Sequence, residues 1–563
     1  MTKYIALLLT ILIGAIGGAT TVTAADDINR LADEVYDNLL QYYPVLATEK
    51  GVHDYDHLLT DYSSGSVRKE KLKLKDFEKE LRRLSTRVSA QEDRINLRLL
   101  KSNLDLALFE VEKRKPFVNN PYRYAEDIVN GIYLILVSEH APIETRAAAI
   151  IGRLNAIPAF LRRARKNIKE PAPLFVTLAS ETIAKAGTMI ESVGTGLPAE
   201  IPNRALEIKA AAETAAAALT EFDTFLAGVT AGPPGSFAIG KSDFNYLLRT
   251  DYFLDFDSDS LLAIGETMFA RTDSALTAYT RHLDSLGLEA DSVYVLDNIT
   301  RDQVLDYYGW ELEQVIAFLK ENDLMTIPDD IGRCHIVETP PFLQNVISSY
   351  AYQMPGSFNP YQDGQFFVYP IPSDLDSAQL ARYNNTIQRR RFRGPIVHEA
   401  FPGHHFQLQM AARQTNRIRK WQENISFIEG WALYCEEMMY HQGLYRNPRQ
   451  YLTVLWLIKL RAARVILDVK LQTGQISLDE ATAWLADKLD TSPEYARIEV
   501  NRYALEPAAA SSYLIGKLEI MKIRDVLQKQ DGAGFSLKAF HDRLLGEGSV
   551  PPPLLRDIWD LTR

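Results

Sequence analysis

The stretch His398-Glu399-Ala400-Phe401-Pro402-Gly403-His404-His405 holds three histidines and a glutamate within eight residues. These are the residue types that bind a zinc ion and activate a water molecule on it. In the H-E-x-x-H arrangement two histidines at i and i+4 share one helical face, and the glutamate between them is the general base. Here His404 follows His398 by six residues. On an undistorted helix that spacing turns the second ring roughly 120° away, so a shared ion requires a distortion. Pro402 supplies one, because it has no N–H for the carbonyl of His398 and its ring clashes there. A bulge that absorbs Pro402 and Gly403 returns His404 to the phase of an i+4 partner. His405 comes back to nearly the first face but about 10.5 Å along the axis, poorly placed for bonds of about 2.0 Å. The spacing therefore favours His398 and His404 as ligands, with Glu399 as base. His405 is expected to support a ligand from outside or to face substrate. The competing reading is a histidine pair that only caps a helix end.

A zinc site of this kind needs a third protein ligand and an open position. Ser426-Phe427-Ile428-Glu429-Gly430-Trp431 continues to Cys435-Glu436-Glu437 and reads as a helix capped by Asn424 or Ser426. Glu429 lies 25 residues after His404, room for one helix to end and another to begin. Gly430 lets two backbones approach closely. Glu436, seven residues on, shares the face of Glu429 and suits a carboxylate that orients a ligand histidine from behind. Taken singly, each of these glutamates is more simply a solvated helix face.

With those residues in view, the chain resembles the bacterial family called domain of unknown function 885. The resemblance rests on HEAFPGHH, EGWALYCEE, Arg502-Tyr503 with Pro507, and Tyr513-Leu514-Ile515-Gly516. It extends to Leu261–Glu266, Leu460–Asp468 and Gly548–Pro551, covering nearly the whole chain after the first residues. It implies a helical zinc-peptidase-like protein of the glutamate-liganded type, in which His398, His404 and Glu429 bind one zinc ion and Glu399 is the base. The Arg502-Tyr503 pair is similar to the arginine-tyrosine pair of angiotensin-converting-enzyme-like peptidases, where the tyrosine faces the tetrahedral intermediate. Two departures stand out: Ala508-Ala509-Ala510 replaces Gly-Gln-Ala, and Gln472 stands where a histidine often follows the aspartate.

The expected chemistry is metal-assisted hydrolysis of short peptides, with Glu399 moving the proton and Tyr503 stabilising the oxyanion. Arg502 would orient that tyrosine or a nearby acid, and Tyr513 would be a second donor. Two alternatives follow. The two departures suggest a catalytically reduced peptide-binding homologue, and the same activated water would equally serve a zinc amidase or esterase.

Residues 1–24 carry Lys3, an apolar run from Tyr4 to Ile16, and the small residues Val22-Thr23-Ala24. That pattern is a secretory signal peptide, too short for a membrane span. An uncleaved anchor is the rival reading. No cysteine lies nearby, so lipid anchoring is not expected, nor is a stable membrane anchor after cleavage. The exported protein is expected in the periplasm or outside the cell. The 563-residue chain has 62 basic and 73 acidic residues, a net charge of −11 that becomes −12 without Lys3. An acidic chain without a basic cluster argues against a nucleic-acid partner. Cys334 and Cys435 are the only cysteines. They could pair in an oxidising compartment, but neither has the spacing of a zinc-thiolate site.

The elements around the motif read as mainly α, a large multi-helix metallopeptidase-like fold with a small β element and, as the family resemblance implies, a deep cleft. Apolar residues spaced by three and four mark helices over 67–84, 92–113, 143–166 and 206–226. Pro198 and Pro202 mark one loop. Gly232-Pro233-Pro234-Gly235 marks a stronger break between an N-terminal helical region, 25–231, and a catalytic region, 236–563, both parts of one integrated fold. Gln365–Tyr369 is the best strand candidate, either an edge strand that holds an extended substrate or a small hairpin that closes the core. A further helix is expected over 377–391. The basic run Arg389-Arg390-Arg391 with Arg393 reads as a mostly solvated face, or as a partner for acidic groups or a substrate carboxylate.

Overall fold

Three- and four-residue apolar spacing becomes helix through most of the chain. The Ile143–Asn167 helix buries Ala147, Ile150, Ile151, Leu154, Ile157 and Leu161 on one face. The Ala205–Ala227 helix turns its small residues Ala211, Ala212 and Ala215 inward. They pack so closely on the Pro173–Glu200 helix that a Cβ at Gly194 would meet that of Ala212 at 2.9 Å. The computed structural model describes residues 23–287, 303–340, 350–371, 375–379, 393–445 and 448–561. The expected helix over 377–391 and the arginines 389–391 lie largely or wholly outside them, as does most of the signal segment. The protein is mainly α with one small sheet. Among the described residues no helix is long and apolar enough to cross a membrane.

Pro198 and Arg393 are placed differently from the expectation. Pro198 lies inside the last turn of the Pro173–Glu200 helix, where a single backbone bond is forfeited, and only Pro202 stands at the break. Arg393 is buried rather than solvated: its Nε donates to Glu311 at 2.8 Å and its Nη1 to the Leu444 carbonyl at 3.2 Å.

The Gly232–Gly235 break forms a surface turn, but the core runs past it. Leu31, Tyr36, Leu74 and Leu99 from the first helices share one buried cluster with Phe427, Trp431, Leu514 and Leu554. A second cluster fills the bundle of helices between Pro121 and Ala227. The sheet lies between the two: Phe366 belongs to the first cluster and Phe367 to the second.

That placement decides the strand question. β3, Gly364–Val368, is the centre of a three-stranded sheet ordered β1-β3-β2. β1, Cys334–Glu338, pairs with it in parallel, and β2, Tyr350–Gln353, pairs antiparallel. Both edges of β3 are used, so it cannot take a substrate strand; its buried phenylalanines hold the two cores together. The edge-strand reading of 365–369 is therefore replaced by a sheet that closes the core.

Candidate metal centre

The chain reaches the histidine motif through one π-type turn, Ile396–Ala400, closed by Phe401 N–H on the Ile396 carbonyl at 3.0 Å. Phe401 is then extended, the Phe401–Pro402 peptide is cis, and a new helix, His404–Ala412, begins. The expected bulge inside one helix is thus a full break between two helical pieces. Sequence spacing could not tell the two apart, because Pro402 forbids the His398 carbonyl bond in either case. Gly403 makes the break compact: a Cβ there would lie 1.8 Å from the His398 carbonyl oxygen. Trp431, on the helix Ile425–His441, pins it by donating its indole N–H to the Pro402 carbonyl at 2.7 Å.

Glu429 comes from the Ile425–His441 helix, which Asn424 caps through the Phe427 N–H. At Gly430 this helix crosses the Ala509–Asp531 helix backbone to backbone. A Cβ on Gly430 would fall 2.4 Å from the Gly516 carbonyl carbon, and one on Gly516 1.7 Å from the Ser426 carbonyl oxygen. Tyr513, three residues before Gly516 and on the same face, is thereby brought toward Glu429.

His398, His404 and Glu429 come together. Glu429 Oε2 lies 3.5 Å from His398 Nε2 and 3.5 Å from His404 Nε2, and the three residues offer donors within 4.8 Å of one another. Donors around a tetrahedral zinc ion with bonds of about 2.0–2.1 Å are separated by roughly 3.4 Å, close to the observed spacing. The imidazole planes meet at 83° with centroids 4.7 Å apart, so both lone pairs can point at one centre. Glu429 Oε2 is buried and has no hydrogen-bond partner among the described residues. This donor set and its unsatisfied oxygen fit one zinc ion.

Behind the cluster, His398 Nδ1 donates to Glu436 Oε1 at 2.7 Å, leaving Nε2 to face Glu429. Burial alone would lower the His398 pKa, but the Glu429 carboxylate 3.5 Å from Nε2, the hydrogen bond to Glu436 and the Glu399 charge hold it up to about 10. Burial would likewise raise Glu429, yet His404 and His398 keep its carboxyl well below the usual range. Glu399 is half-buried beside them and accepts no hydrogen bond from the described residues. Burial first, then the Glu399 charge, pushes the Cys334 thiol of β1 up to about 12. Cys334 and Cys435 are both free thiols.

His405 neither joins the cluster nor faces substrate. It is fully buried, with Nε2 on the Gly332 carbonyl and Nδ1 on the Tyr352 hydroxyl, each at 2.9 Å. Burial lowers its pKa to about 4, so it stays neutral. Its work is to fasten β2 and the loop before β1 to the histidine helix.

Arg502 and Tyr503 are directed elsewhere than expected. Tyr503 is 1% exposed and donates to Glu499 Oε2 at 2.7 Å, and Arg502 reaches the same oxygen at 3.2 Å. Arg464 adds Nε at 3.1 Å and Nη2 at 2.8 Å. Burial would raise Glu499, but Arg464 and Arg502 bring it down to about 2. Tyr513 is the tyrosine at the cluster: burial, then the Glu429 charge, lifts its hydroxyl to about 12. Its ring lies beneath Arg464 at 4.7 Å and Arg461 at 5.5 Å.

The two departures from the family pattern have structural duties. Gln472 is fully buried and donates to the Tyr503 and Ala504 carbonyls at 2.8 and 3.3 Å. Ala508, at φ 71°, gives its N–H to Asp468 Oδ1 at 3.1 Å, and Ser511 donates to Asp468 Oδ2 through N–H and Oγ–H at 3.0 and 2.6 Å. Asp468 thus caps the tyrosine helix. Arg461, Arg464 and Glu499 were not singled out from sequence; their signal was two arginines three residues apart on an otherwise apolar, buried helix face.

A second group, His53, Asp56 and His140, also places possible ligands near one another. Its two rings are stacked 3.4 Å apart at 6°. An ion binds in the imidazole plane, and two parallel planes have no common point for it. This group is a hydrogen-bonded stack, with His53 Nδ1 on Asp56 at 2.9 Å.

The model of a family described as bacterial protein of unknown function, DUF885, matches residues 44–558. The chain belongs to this family. No curated protein matches this DUF885 chain. Solved structures that share its fold include the following two. One is described as a "putative lipoprotein of unknown function" from Shewanella oneidensis, with TM-score 0.75, 20% identity, and coverage of 96% of this chain and 100% of that one. The other is described as a "putative lipoprotein" from Colwellia psychrerythraea, with TM-score 0.77, 15% identity, and coverage of 96% and 99%.

Proposed function

We propose that this DUF885 protein is an exported zinc-dependent peptidase acting on short peptides. The observation that carries the reading is the convergence of His398, His404 and Glu429 at 3.5 Å spacing, with Glu436 orienting His398 from behind. Zinc held by these three residues would acidify a water molecule and polarise an acyl carbonyl. Glu399, next in sequence to His398, would take up the proton of an attacking water molecule and return it to the leaving amine. Tyr513, whose hydroxyl feels the Glu429 charge, would be the donor to the developing oxyanion. Tyr503 and Arg502 act one step back, through Glu499 and Arg464, by fixing the arginine that covers the Tyr513 ring.

Enclosure supports a small substrate: the side chains of His404, His398 and Glu429 are only 10, 12 and 16% exposed. The apolar N-terminal run and the names of the two structural neighbours support export. Metal analysis of the purified protein, with mass spectrometry of a peptide library after incubation, tests the reading. One zinc per chain and cleavage that Glu399→Gln abolishes are expected. Zinc and peptide binding without cleavage would favour a peptide-binding homologue, and turnover only of acyl amides or esters a different zinc hydrolase. Full turnover by Glu399→Gln would refute the assigned base.

A further inference from the structure

Among the described residues Arg461 is a buried cation with no anion in contact. It sits on the Gln450–Gln472 helix and is 8% exposed. Its Nε is enclosed without a hydrogen-bond partner, and among the described residues the guanidinium makes no ion pair within 4.0 Å. Placing an arginine in such surroundings is costly unless something offsets its charge. The nearby acids do not do so by contact. Glu499 already accepts from Arg464, Arg502 and Tyr503. Glu436 feels the Arg461 charge, but its Oε1 is bound to His398 and its Oε2 remains unpaired.

The position of this cation relates it to the candidate metal centre. Its guanidinium lies 5.5 Å from the centre of the Tyr513 ring, the tyrosine whose hydroxyl feels Glu429. Arg464, one turn further along the same helix, lies against the same ring at 4.7 Å. Arg461 and Arg464 thus share the Tyr513 ring, and of the two only Arg464 is paired to a carboxylate, Glu499, among the described residues. A guanidinium held against an aromatic face keeps its planar fork available for two parallel bonds to a carboxylate.

We propose that Arg461 is the carboxylate-binding subsite of the His398–His404–Glu429 site, which makes that site selective for peptides with a negative group beside the bond to be cut. The inference rests on the peptidase reading for its substrate class. The carboxylate has two possible sources, the free C-terminus of a peptide or an acidic side chain. The competing role for Arg461 is to balance Glu436 at a distance, which would leave all peptides equally affected by its loss.

Calorimetric binding of three probes to the zinc-loaded Glu399→Gln protein, and to the same protein without metal, tests the proposal without turnover. The probes are Ala-Ala-Ala, Ala-Ala-Ala-amide and Ala-Glu-Ala-amide. One anionic probe is expected to bind at least about 30-fold tighter than the neutral amide, the low end for a buried charge pair. Preference for the free acid assigns the subsite to a C-terminus, and preference for the glutamyl amide to a side chain. Adding Arg461→Gln should erase the preference while leaving the neutral amide within about twofold, and Arg461→Lys should restore part of it. Equal binding of all three probes to the starting protein, which needs no Arg461 variant, overturns the proposal. So does a preference that survives in a folded Arg461→Gln protein. If the chain holds no zinc and cuts no peptide, yet the Arg461-dependent preference persists, the peptidase reading fails and the subsite stands.

Discussion

Metal binding to the cluster is expected to release a proton at neutral pH, because a metal and a proton compete for His398 Nε2. In the metal-free protein the ring is held between Glu429, 3.5 Å from Nε2, and Glu436, 2.7 Å from Nδ1. These partners overcome burial and hold the pKa up to about 10. At pH 7 the proton therefore lies about three pH units below its release point, a competition of about 4 kcal/mol. Apparent zinc affinity should rise about tenfold per pH unit between roughly pH 7 and 9. Calorimetry in two buffers of different ionisation enthalpy reads the stoichiometry directly, and one proton released per metal is expected. Flat affinity between about pH 6.5 and 8.5, with no proton released, would refute the reasoning. The sign for stability follows from the same raised pKa. In the metal-free protein the protonated ring stabilises the fold fully below about 6.5 and that contribution is lost as pH rises through about 10. The metal-free melting temperature should therefore fall across that window, and the zinc-loaded one should not follow it.

Glu436→Gln removes the charge behind His398 and should weaken zinc binding by roughly 10–100-fold, measured by competition with a chelator. Tyr513→Phe should lower kcat by about 10²–10³ with zinc content unchanged, the loss typical of one oxyanion donor. Tyr503→Phe should instead cost stability, about 1–3 kcal/mol in a denaturant titration, because it removes a buried donor from Glu499. Gly430→Ala should lower the melting temperature and zinc content together, since its methyl would fall 2.4 Å from the backbone of Gly516 and must push the glutamate helix away. Unchanged zinc retention in that variant would show that the crossing does not position Glu429.

Much of the fold and the centre of the site were legible in the sequence. Periodic apolar residues become helices at 64–85, 143–167 and 205–227, because an amphipathic stripe has only one way to be buried. The donor set was readable because a glutamate beside glycine and tryptophan follows the histidines at a distance that permits one helix to return. What failed was directional. Spacing alone could not distinguish a bulge from the break after Ala400, nor show that His405 spends both nitrogens on Gly332 and Tyr352. Tyr503 and Tyr513 look alike in sequence. Only the backbone crossing at Gly430 and Gly516 and the ion pairs around Glu499 decide which one approaches Glu429. A strand was expected at 365–369 and lies at 364–368, but its pairing on both sides depends on segments distant in the chain.

The most direct measurement is the zinc-to-protein ratio in the purified chain and its single variants, by elemental mass spectrometry after exhaustive dialysis. One zinc per chain is expected in the unaltered protein and in His405→Ala, with the ratio falling toward zero in His398→Ala, His404→Ala and Glu429→Ala that remain folded by circular dichroism. Zinc retained in a folded His404→Ala or Glu429→Ala protein, or lost only in His405→Ala, would contradict the three-residue site.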